Sequence, residues 1–321
     1  MDDTSFYLVQ LKPFGEDERH DSKIVQPHQK KCIEGHICGM GWPYGDEFFN
    51  DERVVLKEYY DKYLNYSRCK EGKRRIITSS LNCYWHMKTG DYVFTRLDDN
   101  TCYIGRVDSE AYHSKAKQLE VDSEYGCNYS WIVDVEWKLI GDGQTVPGCL
   151  KGELAKRLNT VQRISSDVSR KTIVKLYNND DTKTVLNVNT FADVFDPNEL
   201  EDLVACYVQY LHRDENLLFI PSTCKKDTKK YEFLLTDGVR KISLQVKNKK
   251  DIDAKPYIDD VKARLYDTVY LFSNKRVLNL SETETSGVME ITKQELFDYL
   301  KGNFSDDSYF GERLNKIYAL E

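Results

Sequence analysis

Residues Tyr231–Lys250, YEFLLTDGVRKISLQVKNKK, decide how this chain is read. Two β-prone runs flank Asp237-Gly238, a dipeptide that supplies the positive φ angles of a tight type I′ turn. A two-residue turn pairs Thr236 with Val239 and sets Glu232 opposite Ser243. Side chains alternate across a strand. One face of the hairpin therefore collects Phe233, Leu235, Ile242, Leu244 and Val246, with Arg240 beside the turn. The other is mixed near the turn and collects Glu232, Ser243, Gln245 and Lys247 away from it. A carboxylate, an amide and an ammonium then share one face of a sheet whose back is core. Oxygens of Glu232 and Gln245 suit a divalent cation, and a lysine suits activation of water or neutralisation of a phosphorane. These are the parts a metal-dependent phosphodiester hydrolase needs.

The flanks extend the pattern. Leu200–Leu211 places Leu200, Leu203, Val204, Tyr207, Val208 and Leu211 at helical spacing. Asp196-Pro197-Asn198 precedes it, with Asp196 or Asn198 as the cap. A short strand follows over Leu217–Ile220. After the hairpin come a helix, Tyr257–Tyr266, with Tyr257, Val261 and Leu265 on one side, and a buried strand, Val269–Phe272. The order is α-β-β-β-α-β.

With Glu232 and Gln245-Val246-Lys247 on the hairpin and the flanking elements in this order, Val194–Phe272 resembles the PD-(D/E)xK nuclease core. The glutamine in the middle position is similar to the variant found in Mrr-like restriction endonucleases. The resemblance implies a restriction-endonuclease-like α/β core. It implies Mg²⁺ (or Mn²⁺) held by Glu232, the Gln245 carbonyl and Glu201, which matches the family's helix glutamate. Lys247 would be the catalytic lysine. Two departures stand out: the family's usual aspartate is Glu232 here, and its usual glutamate is the neutral Gln245. The site loses one negative charge, which weakens metal affinity unless Glu201 contributes. Asp237 is a rival ligand, but the turn reading puts it at the hairpin tip, far from Lys247.

The net charge of −7 argues at first against a nucleic-acid partner. Phosphate binding depends on local patches, however. Pro221–Lys250 holds nine Lys or Arg residues against three acids. Lys225, Lys226, Lys229 and Lys230 lead into the hairpin, and Lys247, Lys249 and Lys250 close it. A second basic cluster is Arg68–Arg75.

The first half is β-rich. Ser5–Leu11, Gly90–Arg96, Cys102–Val107 and Trp131–Leu139 read as strands, with a hairpin around Asp98-Asp99-Asn100. Gly35–Gly41 is a glycine-rich strand or turn leading to Trp42-Pro43-Tyr44. Val54–Leu64 predicts an amphipathic helix, and Cys149–Leu158 includes a short one. Strands mixed with short helices suggest a twisted barrel. The series FYLVQL, GHICGMGWPYGD, KTGDYVFTR, CYIGRV, VEWKL, VPGCL and NTVQRIS resembles the N-terminal modules of some Mrr-like proteins, which are similar to the EVE/PUA superfamily. That superfamily includes readers of modified bases and RNA binders. The resemblance implies an aromatic pocket for an extruded base, with Trp42, Tyr44, Tyr84 and Trp85 as candidate walls. Trp131 and Trp137 lie in an apolar strand and read as core.

His28, Cys32, His36 and Cys38 fall within eleven residues, but their spacing matches no common structural zinc pattern. No cysteine has a persuasive nucleophile context, and no P-loop motif is present. The nine cysteines are scattered, which fits a reducing compartment. No stretch reaches the ~18 apolar residues of a membrane span, and the first residues lack the pattern of a secretory signal. The sequence thus predicts a cytoplasmic protein without a membrane partner.

The organisation expected is α+β or α/β in two domains: residues 1–170, EVE/PUA-like; a linker over 171–195; and residues 196–321, nuclease-like. Thr292–Gly302 predicts a late helix. The expected activity is modification-dependent, Mg²⁺-dependent cleavage of double-stranded DNA, of the restriction and anti-phage type, with a possible homodimer. Glu232, Gln245, Lys247 and Glu201 form the site, and Trp42, Tyr44, Trp85, Lys225, Lys226 and Lys249 bind nucleic acid. The alternative is a reader of DNA or RNA with a degenerate nuclease fold.

Overall fold

The computed structural model describes residues 4–11, 22–40, 54–59, 79–114, 131–155, 161–221, 231–280, 287–303, 310, 311, 314 and 317–321. The protein is α+β with a curled half-barrel sheet. It divides into two compact units, Met1–Val146 with Glu153–Asp180, and Pro147–Gly152 with Asp181–Glu321. Among the described residues no helix is long and apolar enough to cross a membrane.

The first unit holds strands β1 (Phe6–Val9), β2 (Ile37–Met40), β3 (Val54–Val55), β4 (Tyr92–Arg96), β5 (Thr101–Val107), β6 (Tyr112–His113), β7 (Trp131–Asp142) and β8 (Val161–Arg163). They form one sheet in the order β3-β6-β7-β5-β4-β1-β8, with β2 also on β7. Strand β1 runs parallel to β4, and the other pairs are antiparallel. Helices α1 (Ser22–Glu34), α2 (Leu56–Tyr59) and α3 (Ser79–His86) accompany it. Trp131 and Trp137 are core, as their strand pattern predicts. Gly105 is required where β5 crosses β7, because a Cβ there would run into the Val135 and Trp137 side chains. The helix expected from Val54 starts only at Leu56, after the two-residue strand β3, and its continuation past Tyr59 lies outside the described residues.

Helix α4 is Gly148–Leu154, and α5 is Asp167–Asn178, so the expected linker over 171–195 begins inside a helix. The Ser166 side chain accepts from Ser169 N–H at the start of α5, and Asn179 closes it in the left-handed region. Ser169, Thr172, Ile173 and Tyr177 make its buried face, a helical spacing that outweighs the β-branched run. Strand β9 (Thr184–Leu186) and a 3₁₀ turn (Phe191–Val194) complete the stretch.

In the second unit α6 (Pro197–Leu211) opens on a capping box: Asp196 accepts from Glu199 N–H, and the Glu199 carboxylate accepts from Asp196 N–H. There follow β10 (Leu218–Pro221), β11 (Phe233–Thr236), β12 (Lys241–Lys247), β13 (Ile252–Asp253), α7 (Lys255–Lys262), β14 (Thr268–Ser273), β15 (Val277–Leu278), β16 (Val288–Glu290), α8 (Lys293–Asn303) and β17 (Tyr318–Leu320). The five-stranded sheet runs β10-β11-β12-β14-β16. Its first three strands are antiparallel, while β12, β14 and β16 are parallel neighbours. The α-β-β-β-α-β order expected over 194–272 is therefore present, with β13 added before α7. Thr292 and Glu295 cap α8 reciprocally.

Candidate active site on the second-unit hairpin

The hairpin differs from expectation at its turn. Thr236 pairs with Lys241, so the connection is the four residues Asp237–Arg240 rather than two. Only Gly238 has a positive φ, +90°, where a type I′ turn needs two such residues. Asp237 explains the longer loop. Its carboxylate accepts from Val239 and Arg240 N–H and pairs with the Arg240 guanidinium at 2.9 Å. These contacts hold Asp237 at the tip and depress its pKa to about 2. The register slips by two residues, an even number, so every side chain keeps its face.

The slip sharpens the site. Glu232 N–H donates to the Leu244 carbonyl, one residue off the β11–β12 register, so the chain leaves the ladder just before β11, with Glu232 still beside Gln245. Gln245 Nε2 donates to Glu232 Oε1 at 2.7 Å and to the Val246 carbonyl at 3.2 Å. Lys247 Nζ lies 3.4 Å from the same Glu232 oxygen. The Tyr257 hydroxyl, from α7, reaches Gln245 Oε1 at 3.4 Å. The expected convergence of Glu232, Gln245 and Lys247 on one face is thus observed, and Tyr257 joins them.

This face is graded in burial rather than uniformly solvated. Ser243 and Gln245 are buried, at 1% and 2% exposure, because α7 covers them. Toward the rim the Glu232 side chain is 19% exposed and Lys247 is 41% exposed. The burial follows from the ladder: Gln245 lies beside Leu271 of β14, and Leu271 packs with Ile258 of α7. Tyr257 stacks edge-on to Tyr231, whose hydroxyl is bonded to Asp260. Burial, then the charges of Glu232 and Asp260, push the Tyr257 phenol up to about 12, so it stays protonated at neutral pH.

Glu201 sits half-buried on α6, and α6 ends at His212, which bonds and stacks with Tyr270. Tyr270 lies beside Leu244 in the ladder, on the face away from Gln245. Lys249 is exposed just past Lys247, while Lys225, Lys226 and the Arg68–Arg75 cluster lie outside the described residues.

A scan against family models matches none, and searches of curated proteins and of solved structures find no match either. The site's chemistry therefore has to be read from its own residues. Among the described residues no three His, Cys, Asp or Glu side chains cluster as metal ligands. The donors here are of another kind: one carboxylate and one backbone carbonyl, both facing the Gln245 NH₂, and the Gln245 carbonyl, which faces Tyr257. All are hard oxygens, which fits a cation such as Mg²⁺ that keeps several waters of its own. Sequence reasoning missed two of the participants. Tyr257 reads as an apolar helix position, and the Val246 carbonyl has no side-chain signature at all.

In the first unit the expected aromatic pocket is not assembled from the described walls. Trp42 and Tyr44 lie outside the described residues. Tyr84 is fully buried, bonded to Cys38 Sγ at 3.1 Å, because α3 turns it into the core. Trp85 is half-buried against that core and lines a cavity of about 210 Å³ with Val55, Lys57, Lys88 and Glu110. His28 and Cys32 meet at 3.7 Å on α1, whereas His36 points out from a left-handed residue (φ +55°) and Cys38 is engaged by Tyr84.

Proposed function

We propose that the second unit is a metal-dependent phosphodiester hydrolase that cuts double-stranded DNA, and that the first unit reads the DNA, as in a modification-dependent restriction endonuclease. One observation carries this reading: a carboxylate just before β11, Glu232, that meets both an amide and a lysine of β12 within hydrogen-bonding distance, in a unit with the α-β-β-β-α-β order. Glu232, the Gln245 carbonyl and the Val246 carbonyl would hold Mg²⁺, which when bound would supply Lewis acidity toward a phosphate and a water. Lys247, at the rim, orients the attacking water and neutralises charge that develops on the phosphorane. Burial of the Gln245 amide beside Glu232 strengthens these interactions. The exposed Lys249 and the lysines before the hairpin suit the flanking phosphates. One such site cuts one strand, so cleavage of both needs a homodimer or sequential nicking.

The β-rich first unit supports an EVE/PUA-like reader, with Trp42 stacking on an extruded base. Trp42→Ala in the full chain should cost discrimination for a modified base about 1–3 kcal/mol, because a stacking surface is lost. The salt slope should stay unchanged, because no charge is removed. Titrations with matched modified and unmodified oligonucleotides check this. Equal loss on both would make Trp42 a packing residue.

A second reading is favoured by one feature, the single carboxylate at the site. It makes the second unit a degenerate nuclease that only binds. Incubating the protein with modified and unmodified duplexes in Mg²⁺, Mn²⁺ or EDTA separates the two. Metal-dependent cleavage supports the hydrolase, and binding without cleavage on every duplex supports the degenerate reader.

A further inference from the structure

Every polar atom of the Gln245 side chain has a use. Its two N–H groups face two acceptors, Glu232 Oε1 at 2.7 Å and the Val246 carbonyl at 3.2 Å. Its carbonyl faces the Tyr257 hydroxyl at 3.4 Å. This accounts for a side-chain amide tolerated at 2% exposure. It also means that the amide nitrogen, not the carbonyl, lies where the two oxygens converge. An NH₂ group and a cation cannot share that point. Turning the amide by half a turn about its last bond exchanges the nitrogen for Oε1. Three oxygens then converge with no amide hydrogen among them, an arrangement that calls for more positive charge than the Lys247 ammonium, 3.4 Å from Glu232 Oε1, supplies from the rim. The same turn aims the NH₂ at Tyr257. A phenol can donate or accept, so its oxygen receives the amide it had been donating to.

We propose that Gln245 is a two-position ligand, closing the cation site with its NH₂ and opening it by turning its carbonyl inward, with Tyr257 as the positioning residue that satisfies the amide in both orientations. This rests on the hydrolase reading of the same site. It gives the neutral glutamine a role that a glutamate could not fill: a carboxylate has no N–H with which to bind Glu232. Tyr231 and Asp260 hold the Tyr257 ring in place from behind.

The test is nuclear magnetic resonance of the full chain during titration with Mg²⁺, following the Gln245 side-chain NH₂ signals. These are assigned by their disappearance in Gln245→Glu. Mg²⁺ should move both signals strongly, as their acceptors change from a carboxylate and a carbonyl to a phenol. Tyr257→Phe should leave their starting positions nearly unchanged, since Glu232 and Val246 still hold the NH₂. It should raise the Mg²⁺ midpoint about fivefold or more, since the turned NH₂ then lacks an acceptor in a buried place. A merely structural Tyr257 would lower the melting temperature and leave that midpoint alone. If the backbone signals of Val246 and Lys247 respond to Mg²⁺ while the Gln245 NH₂ signals stay still, the amide does not turn and the proposal falls alone. If nothing on the hairpin responds to Mg²⁺, the hydrolase reading falls with it.

Discussion

Each unit packs a polar cluster against its sheet, and the clusters differ in whether charge can survive there. In the first unit Cys38 and Tyr84 bond to each other at 3.1 Å and have no exposed surface. Burial pushes the Cys38 thiol up to about 12 and the Tyr84 phenol well above its usual range. Both stay neutral, and a thiol that cannot form a thiolate is neither a nucleophile nor a good ligand. In the second unit Gln245 is as deeply buried, but the groups around it climb toward solvent. Glu232 keeps 19% of its side-chain surface and Lys247 keeps 41%. The charged groups stand at the mouth and the neutral ones form the floor. Polar residues in a core satisfy one another in both places, and only the second arrangement leaves charges where a substrate could meet them.

The largest expected effect lies in the open cluster. Glu232→Gln keeps an oxygen for the Gln245 NH₂ but removes the negative charge. Metal-dependent cleavage should fall by at least about a hundredfold, with the melting temperature little changed. Cleavage assays beside thermal unfolding check this, and an active Glu232→Gln variant would break the contrast between the clusters. The closed cluster should instead show itself in stability against pH. Folded Cys38 keeps its proton to about 12, whereas the unfolded thiol loses it from its ordinary 9.0. Its contribution is therefore complete below about pH 9 and declines as pH rises above that. Cys38→Ala should flatten that alkaline decline without touching cleavage. The smallest effect belongs to Asp237, whose carboxyl is held at about 2 against an ordinary 3.8 by Arg240 and two backbone N–H groups. Its contribution is present above the ordinary value and lost as pH falls through about 2. Asp237→Asn should trim stability slightly at neutral pH and leave cleavage unchanged. A large loss of cleavage would mean that the hairpin tip is part of the site after all.

Much of the second unit could be read from residue order because alternation and periodicity specify faces. The apolar set Phe233, Leu235, Ile242, Leu244 and Val246 fixed which side of the hairpin Glu232, Gln245 and Lys247 occupy. That survived a wrong turn length because the slip was even. Which face of the sheet a helix covers is not local information. Leu200, Leu203 and Val204 announce a helix, but not that the end of α6 meets Tyr270 on the face away from Gln245. Tyr257 was hidden for the same reason, since a tyrosine on an apolar helix face reads as packing until its hydroxyl is seen against Gln245. The linker expected over 171–195 begins inside α5, whose helical signal was the spacing of Ser169, Ile173 and Tyr177.

The most direct test of the account is the single-turnover rate of duplex cleavage by Lys247→Ala, measured in Mg²⁺ beside its DNA affinity. Lys247 touches Glu232 at the rim and is assigned to charge that appears only in the transition state. The rate should fall about 10²–10³-fold while affinity and melting temperature stay close to those of the unaltered protein. Equal rates for the two proteins, or a loss confined to affinity, would contradict a catalytic role for the hairpin.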